Sequence, residues 1–244
     1  MRQSSVVFAP TTFSLSHTRA RLEATRLGVR IASLPGITVE VFARAIPIDY
    51  GLLRQVGADL AAALTAARNC HLTSAAGTDL VFELGRRRAI ADDGDLRAIS
   101  AFGNLPAGEA YIAPLETTAE GTLVFDGALA GYGLLGNPLR LIVRGGVIDR
   151  AEGDGADWLL STLEAGGPTG RRIAELGIGT NSAARLTGDV LEDEKVLGTA
   201  HVAFGNNVSF GGINDASVHI DGMLLQPSIE LDRHPLLQAG VLVP

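Results

Sequence analysis

The stretch AHVAFGNNVSFGGINDASVHIDGML, residues 200–224, sets two histidines and an aspartate around a run rich in Asn and Gly. In an extended strand, residues two apart share a face, so in VHIDG the side chains of His219 and Asp221 point to one side while Val218 and Ile220 point to the other. Imidazole and carboxylate together suit zinc, cobalt, manganese or iron. His201, in the strand-like run GTAHVAFG, can approach from a neighbouring strand, because the segment between is long enough to return. Two carboxylates lie in apolar, glycine-punctuated runs: Glu109 in LPAGEAYIAP and Glu175 in RRIAELGIGTN. A carboxylate among such neighbours needs a cation, several donors or a proton. Taken singly, each of these residues is open to two readings, metal ligand or hydrogen-bonded structural group. Glu116, Glu120, Asp189, Glu192, Asp193 and Glu194 read instead as turn or surface groups, and GDVLEDEK as a solvated face.

The elements that must position these residues change character along the chain. HTRARLEATRLGVRIASL has apolar residues at helical spacing. GLLRQVGADLAAALTAARNC is an Ala- and Leu-rich helix ending before HLTSAAGTDLVFEL, which reads as strand, turn, strand. From about Ile99 the texture becomes short apolar runs separated by Gly, Pro and Asn, with helices expected at GADWLLSTLEAG and SAARL. The expectation is an α+β protein: a small α/β domain over residues 1–98, then a mostly β domain over 99–244 that carries the metal site.

Composition narrows the function classes. At 46% hydrophobic residues the chain can bury a sizeable core, and its formal charge of -7 argues against a nucleic-acid partner. One cysteine, Cys70, excludes an internal disulfide and any cysteine-cluster metal site, so metal ligands must be His, Asp and Glu. MRQSSVVFAPTTFSLS reads as a first strand and turn rather than a signal peptide, and no uncharged apolar stretch reaches membrane-spanning length. A cytoplasmic protein without a membrane partner is expected. GYGLLG, Gly131 to Gly136, matches a dinucleotide fingerprint, but Pro138 and the strand-like LRLIV stand where the phosphate-binding helix should open. GGPTGRR, Gly166 to Arg172, lacks the Walker lysine and reads as a turn.

Taken in order, LPAGEAYIAPLE, AELGIGTN, TGDVLEDEKVLGTAHVAFGNN, FGG and VHIDGM resemble the aminopeptidase T family of metallopeptidases, with SLPGITVE, DYGLLRQVG and GTDLVFELGRR extending the likeness upstream. The chain looks like a shortened member with a smaller first domain. The resemblance implies a centre of two divalent ions, zinc, cobalt or manganese, held by Glu109, Glu175, His201, His219 and Asp221. Glu109 and Glu175 would be the catalytic carboxylates, with Glu109 as proton shuttle or bridging ligand. It implies metal-activated water attacking a peptide or small amide, and a homodimer. The family's catalytic tyrosine, expected after the first histidine, is replaced by FGNNVSFGG, where Asn206, Asn207 or Ser209 could donate to an oxyanion. A related group, resembling 2,5-dihydroxypyridine dioxygenases, uses one iron held by two histidines and an aspartate. His201, His219 and Asp221 fill that triad equally, with Glu109 and Glu175 as supporting groups or bases. A non-catalytic binding scaffold is the third reading.

Overall fold

The computed structural model describes Met1, residues 3–15 and residues 18–243. Three sheets and a few helices make an α+β fold. Strands Val6–Ala9, Arg30–Ser33 and Phe102–Asn104 form a small parallel sheet, with the helix Arg19–Arg26 crossing between the first two. That helix opens on Thr18, whose hydroxyl accepts from the Arg21 N–H. The seven-stranded sheet carries the strands of interest in the spatial order His219–Leu224, Ala200–Gly205, Ile173–Gly179, Glu109–Ile112 and Ile90–Asp92, all antiparallel. An eight-stranded sheet takes in the hairpin Asn69–Thr73 and Asp79–Glu83, the strands Glu120–Phe125, Leu139–Arg144 and Val147–Glu152, and three strands from the last seventeen residues.

Alternation along the strands explains which face does what. Ala110, Ile112, Leu176, Ile178, Val202, Phe204 and Leu224 turn to one side of the seven-stranded sheet, where they join Leu72, Leu80, Leu123 and Phe125 of the eight-stranded sheet in the main core. The other face carries every residue of the expected metal site. The helix Tyr50–Ala66 packs on the strands Glu109–Ile112 and Ile90–Asp92. Asp49 caps it by accepting from the Gly51 and Leu52 N–H groups, and Leu53, Gly57, Leu60 and Leu64 form its buried stripe. Gly57 permits the close approach, since a Cβ there would stand 3.3 Å from Ala91 Cβ.

Both large sheets mix strands from before and after residue 99, so a clean division into an α/β domain and a β domain is not established. The helix expected at GADWLLSTLEAG is Ala156–Ala165, but SAARL is not helical. The Asn181 side chain accepts from the Ala183 and Ala184 N–H groups, and Glu192 accepts from the Arg185 N–H. These bonds hold the backbone donors in a turn, and the short helix Val190–Asp193 follows instead. GDVLEDEK is not a solvated face either: Glu192, Asp193 and Lys195 are all buried. After Gly131 to Gly136 comes the strand Leu139–Arg144, in keeping with the rejection of a dinucleotide site. No helix among the described residues is long and apolar enough to cross a membrane.

Candidate metal centre

The antiparallel register gathers the five residues singled out in the sequence onto one face. Glu175 lies opposite Ala203, which lies opposite Asp221; Gly205 lies opposite His219. Gly177 has His201 on one side and Tyr111 on the other, and Gly179 pairs with Glu109, which pairs with Asp92. Large polar side chains thus alternate across strands with Gly or Ala, which leaves them room to converge. Gly177 is the clearest case: a Cβ there would stand 2.0 Å from His201 Nε2, because the imidazole lies over that position to reach Glu175.

Two groups of ligand atoms result, each with its members within 4.8 Å of one another: Glu175, His219 and Asp221, and Glu109, Glu194 and His201. Glu175 links them, with Oε1 3.3 Å from His201 Nε2 and Oε2 3.4 Å from His219 Nε2. His219 Nε2 is also 3.4 Å from Asp221 Oδ1, a buried oxygen with no hydrogen-bond partner. On its other side His219 Nδ1 donates to the Asn206 carbonyl at 2.7 Å. In the neutral imidazole this bond leaves the Nε2 lone pair facing two carboxylate oxygens, so the group calls for a proton on Nε2 or a metal ion among the three, and a carbonyl-braced Nδ1 is typical of metal-binding histidines. The donor set therefore fits one divalent ion of the borderline or hard class. The iron triad considered from sequence joined His201 to His219 and Asp221; in the fold the ligand atoms nearest to those of His219 and Asp221 are on Glu175, while those of His201 group with Glu109 and Glu194.

The second group holds a cation of its own. Lys195, fully buried, donates from Nζ to Glu109 Oε1 at 2.5 Å and Glu194 Oε1 at 2.7 Å, and lies 3.4 Å from Asp92 Oδ2. Burial pushes the Glu109 carboxyl up to about 8 even though Lys195 pulls it down. Burial likewise raises Glu194 and Asp92. Burial alone would raise Glu175 as well, but the two imidazoles hold it down to about 2. Burial works against charge on His201, yet Glu175, Glu109 and Asp221 lift it to about 9; the same opposition, led by Asp221, lifts His219 well above the ordinary histidine value. The cluster of carboxylates thus demands positive charge.

These groups line a cavity of about 530 Å³, walled by Tyr111, Phe210, Asn104, Asn206, Ser209 and the segment Ala216–Val218. Phe210 stands edge-on to both Tyr111 and His219, with ring centroids 5.5 Å and 6.0 Å apart. Burial, then the nearby Glu109 and Glu175, raises the Tyr111 phenol, so it stays protonated. Asn207, read from sequence as an oxyanion donor, faces inward instead. Its amide donates to Glu116 Oε1 at 3.1 Å and to the Ala174 carbonyl, and its Oδ1 accepts from the Asn214 N–H. Glu116 is buried and takes two bonds from Arg87 and one from the Ile213 N–H, so it anchors this loop rather than facing solvent. Asp92, Tyr111, Lys195 and Phe210 were not singled out in the sequence, and Glu194 was placed on the surface. Signals for two of them were present: Tyr111 follows Glu109 by two residues on a strand, and Lys195 is the one lysine among 20 Lys and Arg residues.

A β-rich frame with a buried His and carboxylate centre opening to an aromatic-walled cavity is a setting suited to a metal-dependent enzyme, and the comparisons specify the family. The sequence profile of the NicX family, described as 2,5-dihydroxypyridine 5,6-dioxygenase, matches residues 1–244, and the chain belongs to that family. The 2,5-dihydroxypyridine 5,6-dioxygenase of Pseudomonas putida KT2440 is 27% identical over 246 residues, covering 95% of this chain and 69% of that protein. A solved structure of 2,5-dihydroxypyridine dioxygenase from Pseudomonas putida KT2440 superposes with a TM-score of 0.83 at 25% identity, covering 98% of this chain and 72% of the other. Wild-type AmpT from Thermus thermophilus, at 22% identity, TM-score 0.65 and coverage of 95% and 62%, shares the fold.

These findings correct the sequence reading in several respects. The chain is a member of the dioxygenase family and not of the aminopeptidase T family, so an aminopeptidase-type hydrolase acting on a peptide or amide is overturned. A pair of zinc, cobalt or manganese ions is overturned with it: the two Glu- and His-based groups in a chain of this family suit a single iron-type site better than a dinuclear centre. The physical ground is that Glu109, one of the two carboxylates expected to hold the ions, is already engaged by the Lys195 ammonium.

Proposed function

We propose that this protein opens the ring of a small hydroxylated aromatic or N-heteroaromatic compound with dioxygen, using one ferrous ion held by Glu175, His219 and Asp221. Bound there, the ion would supply a chelation point for a ring hydroxyl and the means to reduce O2. The observation that supports this most is the placement of that ligand group in the wall of an aromatic-sided cavity, in a chain whose family is that of a ring-cleaving dioxygenase.

The chain's own residues supply binding and proton control. Phe210 and Tyr111 offer an apolar edge and face against which a planar ring can lie. Asn104 Oδ1, buried and without a partner, is available to a ring N–H or O–H. Glu109, held near 8, can exchange a proton with a bound hydroxyl around neutral pH, which makes it the candidate proton shuttle. Tyr111, protonated, serves as a hydrogen-bond donor. Asn206 orients His219 through its carbonyl.

The test is anaerobic loading with ferrous iron followed by 2,5-dihydroxypyridine and a set of dihydroxylated pyridines and benzenes in air-saturated buffer. One O2 consumed per ring lost, read by an oxygen electrode and the ring's ultraviolet absorbance, is the expected outcome. Hydrolysis of amino-acid amides without oxygen uptake would overturn the reading.

A further inference from the structure

The structure assigns Lys195 the place of a second cation beside the metal site, so that the centre accepts one divalent ion and no more. This rests on the single-metal reading above and concerns what enforces it. On composition the residue is singular: every other basic residue outside the histidines is Arg, and the one lysine is fully buried. A guanidinium is wide and planar, whereas an ammonium is a compact point charge with three donors, the shape needed among three converging carboxylates. Those carboxylates come from three directions. Glu109 and Asp92 pair across adjacent strands, and Glu194 precedes the lysine.

The backbone holds Lys195 in place independently of its charge. Its carbonyl accepts from the Asn181 N–H at 2.8 Å and its N–H donates to the Glu192 carbonyl at 2.9 Å. Asn181 is itself locked, its amide donating to the Ala45 and Ala107 carbonyls. Gly179 admits the segment, because a Cβ there would lie 2.8 Å from the Lys195 carbonyl carbon. The ammonium is thus set among the very carboxylates that, with His201, make up the second ligand group. Glu109 Oε2 remains buried and unpartnered, 3.3 Å from His201 Nε2, so the group keeps donor capacity that a divalent ion would use if the lysine were gone. Lys195 is on this argument a positioning residue: it neutralises the second group and leaves the ion to Glu175, His219 and Asp221.

The experiment is metal stoichiometry by elemental analysis after manganese titration and gel filtration, on the native chain, K195R and K195A. Native protein should hold about one equivalent however high the manganese. K195A should take about two, or, if unstable alone, should recover its folded circular dichroism on adding manganese. K195R keeps the charge that bars a second divalent ion and should stay at one, whatever stability its wider guanidinium costs. A native chain that takes two equivalents, or a K195A that folds and stays at one, or one that no manganese concentration rescues, would overturn the inference. Failure of the dioxygenase reading looks different: a native chain that takes no iron on reconstitution, or takes it and consumes no oxygen with any ring substrate, while the difference between native and K195A can still be read.

Discussion

His219 is held between the Asn206 carbonyl and two carboxylates, and the consequences of disturbing it follow from that geometry. On the proposed site H219A and D221A each remove one of the ion's three side-chain holders, so metal affinity should fall by more than the roughly 10–100-fold usual for loss of a supporting partner, with oxygen uptake lost in parallel. Elemental analysis after gel filtration checks this; a variant that keeps a full equivalent of iron would show that the ion sits elsewhere. Gly177 makes a separate prediction. A methyl group at that position meets the His201 ring, so G177A should lose about 1–3 kcal/mol of stability and most of its activity. Denaturant melts alongside oxygen uptake separate the two effects, and an unperturbed G177A would mean that His201 is free to move aside at no cost.

At the scale of elements, the loop between the strands Ala200–Gly205 and His219–Leu224 is built on buried asparagines rather than on an apolar core. It carries Phe210 over the cavity and is tied to the rest of the molecule by Glu116 and Arg87. F210A should raise the KM for a ring substrate about tenfold, the worth of one aromatic contact near 1.4 kcal/mol, while kcat changes little. An unchanged KM would remove Phe210 from the binding wall. Burial pushes the Glu116 carboxyl up, but Arg87, the Ile213 N–H and the Asn207 amide together outweigh it and leave the group below its ordinary 4.5. A depressed folded value means stabilisation that is complete above about 4.5 and lost as pH falls through the folded value. E116Q should therefore melt well below native protein at pH 7, with the gap closing in acid. Parallel melts from pH 7 down to 3 test it, and a constant gap would assign the effect to packing alone.

At the scale of the whole molecule, the cavity is lined by Glu109, Glu175, Glu194 and Asp221 and, among the described residues that line it, by no Arg or Lys. A ring whose carboxylate points away from the proposed ion would meet like charge and find no cationic side chain, so neutral or cationic hydroxylated rings should be turned over and carboxylated analogues should not. Competition assays read this directly: tight inhibition by a pyridine carboxylate would contradict it.

The sequence by itself determined the five polar residues of the site, through the H-x-D spacing of His219 and Asp221, the strand-like setting of His201, and the improbable position of Glu109 and Glu175 in apolar runs. It also determined the helices Tyr50–Ala66 and Ala156–Ala165 and the hairpin of Asn69–Thr73 with Asp79–Glu83, because local periodicity and capping are properties of short segments. Only the tertiary structure decided how those residues are divided. Cross-strand register joined Glu175 to His219 and Asp221, while Lys195, from a segment that reads as solvated charge, came to rest against Glu109 and Asp92 across 86 residues of chain in the first case. The reason is physical: charge in GDVLEDEK has the same local signature whether water or three strands surround it, and burial is settled by contacts between segments far apart in the chain. The same residue types can serve a hydrolase or an oxygenase, and which of the two they serve here turned on the cation already at hand and on the family that the whole chain matches.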